Sequence, residues 1–166
     1  MQYKFNKIGT IFTNFDKQDN MPIQSVESTE DSTNGKVVIY KKYIDGLKDL
    51  NLFSHIYLLY YFHKSSSYKL QLTPFLDSIE HGIFATRAPS RPNHIGISIV
   101  RLISVNDNIL YVKDMDILDN TPLLDIKPYV KQFDIRENTS SGWINTSIDQ
   151  LKKKKSDRRF IHEKNN

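Results

Sequence analysis

Ile95-Gly96-Ile97-Ser98-Ile99-Val100-Arg101-Leu102-Ile103-Ser104-Val105, then Asn106-Asp107-Asn108, then Ile109-Leu110-Tyr111-Val112-Lys113: two apolar, largely β-branched runs joined by an Asx-rich turn read as a β-hairpin. The stretch that feeds it is Gly82-Ile83-Phe84-Ala85-Thr86-Arg87-Ala88-Pro89-Ser90-Arg91-Pro92-Asn93-His94. Each proline fixes its own φ and pushes the residue before it into extended backbone. Arg87 and Arg91 are thus displayed from a stiff segment. A guanidinium is a planar fork of five donors that never deprotonates. The segment reads either as a preformed anion site or as a surface turn whose arginines pair with nearby acids.

Working outward, Phe53 to His63 is the strongest strand, with His55, Tyr57, Leu59, Tyr61 and His63 on one face and Ile56, Leu58, Tyr60 and Phe62 on the other. Both faces are largely apolar, which predicts a central strand covered on both sides. Tyr3 to Thr13 reads as a strand bent at Gly9. Val37 to Tyr40 reads as a short strand after the turn Asp31-Ser32-Thr33-Asn34-Gly35, and Tyr68 to Leu72 as another. Tyr43 to Leu50 reads as one or two helical turns weakened by Gly46. Pro122 to Val130 is extended, with Leu124, Ile126 and Pro128 on one face. A helix starts near Asn145, where Thr146 and Asp149 have capping-box spacing. Many short strands and few helices predict a mainly all-β domain, a barrel or sandwich. The loop over residues 14–36 is long for such a domain, and loops of that length are usually functional or mobile.

A length of 166 residues fits one domain with an ordinary core. The absence of cysteine excludes disulfides, thiolate zinc sites and cysteine nucleophiles. No apolar run reaches the length of a membrane span, and the N-terminal residues lack a signal-like core, so a cytoplasmic protein with no membrane partner is expected. The net charge of +4 resides entirely beyond residue 148, where seven basic residues face three acidic ones. That divides the chain into a neutral body (1–148) and a basic C-terminal helix or tail (149–166). The cationic end suits a polyanion, nucleic acid ahead of membrane, or serves only solubility.

The six glycines are scattered, so there is no G-x-G fingerprint and no Walker loop. Gly96-Ile97-Ser98 lacks the second glycine of a nucleophile elbow. His55 and His63 share a strand face but lie too far apart to ligate one metal ion, and no metal is expected. Asp119-Asn120-Thr121-Pro122 is a turn sequence whose side chains bond either their own backbone or a ligand.

Four blocks make the chain similar to a known family. They are Phe53 to His63, Gly82 to Arg87, Arg91-Pro92-Asn93 through Ser98, and Asp119-Asn120-Thr121-Pro122 through Asp125-Ile126-Lys127-Pro128-Tyr129. Met21-Pro22-Ile23-Gln24 stands where that family has a Pro-x-Gln element. The chain resembles the TrmO family, also called YaeB- or VirR-like, S-adenosylmethionine-dependent methyltransferases acting on tRNA. The resemblance implies a small closed β-barrel rather than a Rossmann sheet, working as a homodimer. It implies methyl transfer to the exocyclic amine of a threonylcarbamoyl-modified adenosine beside the anticodon of tRNA(Thr).

Carried over by position, the S-adenosyl-L-methionine site would comprise Pro22, Ile23, Gln24, His63, Lys64, Arg87, Ile97, Asp119, Asn120, Thr121 and Pro122. Asp119 is the one catalytic candidate, as a polar stabiliser of the acceptor amine, with cofactor binding as its other role; no general base is assigned. Arg91 would brace its loop or meet an RNA phosphate, and Lys152, Lys153, Lys154, Lys155, Arg158 and Arg159 would meet phosphates of the anticodon stem-loop. On this reading, removal of residues 152–166 weakens tRNA binding and spares the cofactor. Tyr60, Tyr61 and Tyr68 are candidates for stacking a base or for the core. The chain departs from the common family pattern at Ile23, Lys64, His94 and Asn120. The same scaffold also admits a non-catalytic RNA- or nucleotide-binding barrel, or a methyltransferase with another acceptor.

Overall fold

A computed structural model describes residues 3–27 and 33–161. Six strands close an antiparallel barrel in the order β1-β2-β7-β6-β3-β8. They are β1 (Gly9–Thr13), β2 (Gly35–Ile39), β3 (His55–Tyr61), β6 (Ile95–Asn106), β7 (Ile109–Lys113) and β8 (Thr121–Pro128). Two short strands, β4 (Gln71–Leu72) and β5 (His81–Gly82), pair outside it. The β6–β7 hairpin is the one read from sequence: Asn106 faces Ile109, and Asp107 takes the left-handed φ of 54° that such a turn requires. Asn108 then donates its side-chain amide to the Ile39 carbonyl at 2.7 Å, fastening the turn to β2.

Inward residues fill the barrel. Ile11, Val37, Ile39, Ile56, Leu58, Val100, Leu110, Val112 and Leu123 are buried, with Tyr60, Leu102, Met115 and Ile117 completing the cluster. On β6 the inward positions are Gly96, Ser98, Val100 and Leu102, so the strand alternates as a half-buried strand should. Gly96 sits opposite Tyr60, and a Cβ there would lie 2.3 Å from the Tyr60 ring. Glycine therefore lets that ring lie flat across the strand, edge-on to Phe62 with centroids 5.4 Å apart.

Several expectations are revised. β3 is central, between β6 and β8, but only its even face is buried; Tyr57 and Leu59 are half-buried and Tyr61 is exposed. In β8 the register slips between Leu59 and Tyr60, which pair with Asp125 and Leu123. This bulge absorbs Leu124, so Leu123 is the fully buried residue, and strict alternation does not hold across it. β1 begins at Gly9 rather than Tyr3, and Tyr3 and Phe5 are exposed. The stretch Tyr43 to Leu50 forms 3-10 turns at Lys41–Leu47 and Leu50–Leu52. Only the last two residues of the Tyr68 to Leu72 run pair as a strand. Residues Asp31 and Ser32 of the proposed turn lie outside the described residues.

After the barrel come α1 (Lys131–Asp134) and α2 (Ile148–Lys153). The cap of α2 is one residue later than the sequence suggested. Ser147 Oγ accepts from the Gln150 N–H at 3.3 Å, and Gln150 Oε1 accepts from the Ser147 N–H at 3.0 Å. Gln150 competes with Asp149 for the third position, and the reciprocal amide pairing selects Ser147. The chain then returns to the body. Phe160 is buried with Leu72, Ile83 and Ala88, packed edge-on against Phe75 at 4.9 Å.

Candidate active site

One cavity of about 710 Å³ opens at the end of the barrel where β3 finishes and β6 begins. That volume lies in the range of small-molecule sites. Several separate pieces of chain wall it. The long first loop contributes Met21 to Val26, and the end of β3 contributes Tyr60, Phe62, His63 and Lys64. The proline-braced segment contributes Phe84 to Pro89 and Arg91, the start of β6 Ile95 to Ile97, and the stretch after β7 Asp116, Ile117 and Leu118. Trp143, Ile144, Leu151 and Phe160 close it from the C-terminal side.

Of the residues anticipated for the cofactor, Pro22, Ile23, Gln24, His63, Lys64, Arg87, Ile97 and Thr121 line this cavity together, although they come from five separate stretches. Arg87 is exposed, and its Nη1 donates to Gln24 Oε1 at 3.2 Å, which links two of those stretches through a neutral partner. Thr121 donates its hydroxyl to the Leu118 carbonyl at 2.7 Å, so its contact with His63 Nδ1 at 3.3 Å has the ring nitrogen as donor. His63 Nδ1 therefore carries a proton, which leaves Nε2 as the nitrogen that can titrate. Burial, with Lys64 beside it, holds its pKa below the usual imidazole range.

The Asp119 turn is placed differently. Asp119 accepts the Thr13 N–H at 3.0 Å and the Asn120 side-chain amide at 2.6 Å, and its own N–H donates to the Phe15 carbonyl. Asp119, Asn120 and Pro122 are not among the cavity-lining residues; Asp119 instead ties the end of β1 to β8. Asn120 adopts φ 59°, the left-handed conformation that asparagine tolerates best after glycine. His94 has φ 50°, a conformation closed to proline.

Arg91 braces. Its Nη1 donates to the carbonyls of Thr86 at 2.8 Å and Ile83 at 3.1 Å, holding the segment in a hook. Among the basic residues, Lys152 and Lys153 end α2 in solvent, and Lys154 is exposed after them. Arg159 is committed to Asp157 through paired contacts of 2.9 and 2.6 Å, and to the Pro74 carbonyl at 2.6 Å. Lys155 forms an isolated antiparallel bridge with Pro22. Beside it, Ser156 accepts at Oγ from the Met21 N–H at 3.0 Å and donates its own N–H to the Met21 carbonyl at 2.8 Å. The C-terminal segment therefore holds the Pro22-Gln24 loop in place. Removing residues 152–166 would take away part of the cavity wall, including Ser156, Asp157 and Phe160.

Sequence reading missed one group of residues. Asp116 lines the cavity, and its Oδ1 accepts from Ser98 Oγ at 2.6 Å; Ser98 Oγ is 3.1 Å from the Tyr60 hydroxyl. Burial pushes the Asp116 carboxyl up to about 6, against the opposing effect of the Ser98 hydrogen bond and the Arg87 charge. Burial also raises the Tyr60 hydroxyl far above its ordinary value, so it stays protonated. The available signal was Ser98, a hydroxyl on the inward face of an otherwise apolar strand, where a buried polar group demands a partner. Trp143, the sole tryptophan, donates to the Ala85 carbonyl at 2.9 Å and stacks on His81 at 4.4 Å.

A closed antiparallel barrel with a cavity at one end, walled by a braced arginine segment, is a non-Rossmann architecture with room for a small molecule. Residues 10–135 match the tRNA-methyltransferase O N-terminal domain, and the chain belongs to that family. A probable S-adenosyl-L-methionine-binding protein of Pyrococcus abyssi is 46% identical over 157 residues, covering 95% of this chain and 84% of that protein. A mouse tRNA (adenine(37)-N6)-methyltransferase is 40% identical over 97 residues, covering 57% of this chain and 22% of that protein. The crystal structure of TrmO from Pseudomonas aeruginosa superposes with a TM-score of 0.71 at 32% identity, covering 86% of this chain and 63% of the solved one. The closed antiparallel barrel is thus the family fold, as the resemblance implied.

Proposed function

We propose that this protein is a tRNA methyltransferase that binds S-adenosyl-L-methionine in the cavity and methylates the exocyclic nitrogen of an adenosine beside the anticodon. The observation that carries the reading is the convergence of Pro22-Ile23-Gln24, His63-Lys64, Arg87, Ile97 and Thr121 on one cavity. The lining suits the cofactor. Arg87 offers a carboxylate a charged fork, Gln24 offers an amide, and Phe62, Ile97, Ile117 and Leu118 offer apolar surface to a nucleoside. When bound, the cofactor supplies an already activated methyl group on a sulfonium. What remains for the chain is to align the acceptor nitrogen and exclude water, and orientation alone is worth roughly 7–11 kcal/mol in favourable cases.

The acceptor is the threonylcarbamoyl-modified adenosine of tRNA(Thr). Lys152, Lys153 and Lys154, next to the cavity residue Leu151, supply cations for the stem-loop phosphates. The working unit is a homodimer. Exposed Ile99 and Ile103 on β6, with Tyr57 opposite Ile99 on β3, make an apolar stripe that one copy leaves uncovered and a second copy would bury.

The test is transfer of an isotopically labelled methyl group to unfractionated tRNA from a strain lacking this gene, read by nucleoside mass spectrometry. Label on threonylcarbamoyladenosine from tRNA(Thr) is expected. Label on another nucleoside, or none, contradicts the assignment.

A further inference from the structure

The cavity holds a carboxylate, Asp116, that among the described residues is paired with no arginine or lysine side chain by a direct hydrogen bond. Asp114, two residues earlier, shows what a structural carboxylate looks like here: it is buried and forked onto Arg101, with contacts of 3.2 and 3.4 Å. Its basic lone pairs are spent on a fixed cation. Asp116 makes no such pairing. Its oxygens accept from the Ser98 hydroxyl at 2.6 Å and from backbone N–H groups of Ser25 and Asp116 itself. The Arg87 guanidinium acts on it only through its charge.

The order of the hydrogen bonds is fixed. Ser98 has one hydroxyl proton and gives it to Asp116 Oδ1, so the Tyr60 hydroxyl must donate to Ser98. Tyr60 is held by its ring packing over Gly96 and against Phe62. The result is a chain from β3 through β6 to Asp116, aimed at the carboxylate and anchored in the barrel core. Such a chain sets the orientation of the carboxylate without neutralising it.

We propose that Asp116 is the proton acceptor of the methyl transfer, taking the hydrogen of the attacking exocyclic nitrogen while Ser98 and Tyr60 hold it in position. The inference rests on the methyltransferase reading above. As the nitrogen lone pair forms the new N–CH₃ bond, the S–CH₃ bonding pair returns to sulfur and the N–H proton passes to Asp116. A sulfonium and a carboxylate become a thioether and a carboxylic acid. Two opposite charges vanish together, a change favoured where the dielectric is low. The proton leaves for solvent through the open cavity once products depart. Because the carboxyl is held at about 6, it is ionised at neutral pH and still a stronger base than an exposed aspartate.

Asp116→Asn preserves shape and removes the basic oxygen. Its kcat should fall roughly 10²–10⁴-fold, while S-adenosylhomocysteine binding by calorimetry stays within about threefold of wild type. A kcat near that of wild type overturns the proposal and leaves the methyltransferase reading intact. So does a parallel loss of S-adenosylhomocysteine binding, which would make Asp116 a binding residue. Wild-type protein that transfers no methyl to tRNA defeats the underlying reading and this proposal with it.

Ser98→Ala provides an independent readout. The carboxyl ¹³C resonance of Asp116, measured without cofactor, should titrate near 6 in wild type and higher in the variant, since the missing hydrogen bond favours the ionised form. The acid limb of the kcat profile should move to higher pH by the same amount; an unmoved limb overturns the proposal. Arg87 and Tyr60 face the carboxylate, and His63, Lys64, Arg91 and Asp157 line the rest of the cavity; all are the same in both proteins.

Discussion

Arg87 and Arg91 are four residues apart and do different work. Arg91 satisfies carbonyls of its own segment, whereas Arg87 reaches across to Gln24 in the cavity. Replacing Arg87 with Ala should weaken S-adenosylmethionine binding by roughly 10- to 100-fold, the value of a charged hydrogen bond, with the melting temperature nearly unchanged; calorimetry and a thermal melt decide this. Asp116 should also report itself in stability. Its carboxyl binds a proton more tightly in the folded chain than in the unfolded one, so folding is favoured as pH falls from about 6 toward 4 and is opposed by ionisation above that. Asp116→Asn should therefore be the more stable protein at pH 8, by on the order of 1–3 kcal/mol, with the gain vanishing near pH 4. Denaturant titrations at the two pH values measure it. The sequence showed Arg87 plainly, because the prolines around it are a local signal. Asp116 was illegible, since it follows Asp114 in an irregular stretch and only the closed barrel brings Ser98 and Tyr60 to it.

Among the elements, the β6–β7 hairpin and β3 could be read because their apolar alternation and Asx turn are local properties. The β8 bulge could not. Leu123, Leu124 and Ile126 are all apolar, and pairing with β3 decides which of them turns inward. Gly96 belongs to the same class of facts, for its reason lies in Tyr60, on the neighbouring strand. Gly96→Ala should push the Tyr60 ring off its seat, cost about 1–3 kcal/mol as overpacking, and break the hydrogen bond from the Tyr60 hydroxyl to Ser98; urea unfolding and the Asp116 titration would both register it. The C-terminal segment makes the opposite point about charge. Lys152 to Lys155 look like one basic run, yet Lys155 bridges Pro22 while Lys152 and Lys153 end a helix in solvent. Truncation after Lys154 should accordingly lower S-adenosylmethionine affinity, by removing Ser156 and Phe160 from the loop and cavity wall. Unaltered calorimetry of the truncated protein would contradict that role.

At the scale of the whole molecule, the barrel serves as a frame whose open end gathers distant stretches of the chain into one cavity. Its outer β3–β6 face and its basic helix end are turned to solvent. If the proposed dimer uses the exposed isoleucine row, Ile103→Asp should shift the protein toward monomer in sedimentation experiments, and an unchanged mass would contradict that interface. Lys152→Glu combined with Lys153→Glu should reduce tRNA affinity and flatten its dependence on salt by roughly one to two units of slope, with cofactor binding preserved. The central claim is that the cavity binds S-adenosylmethionine, and the most direct measurement is a crystal structure of the chain with S-adenosylhomocysteine. The ligand's carboxylate is expected at Arg87 and its sulfur on the Ser98–Asp116 side of the cavity. A ligand bound outside the space between Gln24, His63 and Arg87 would contradict that claim.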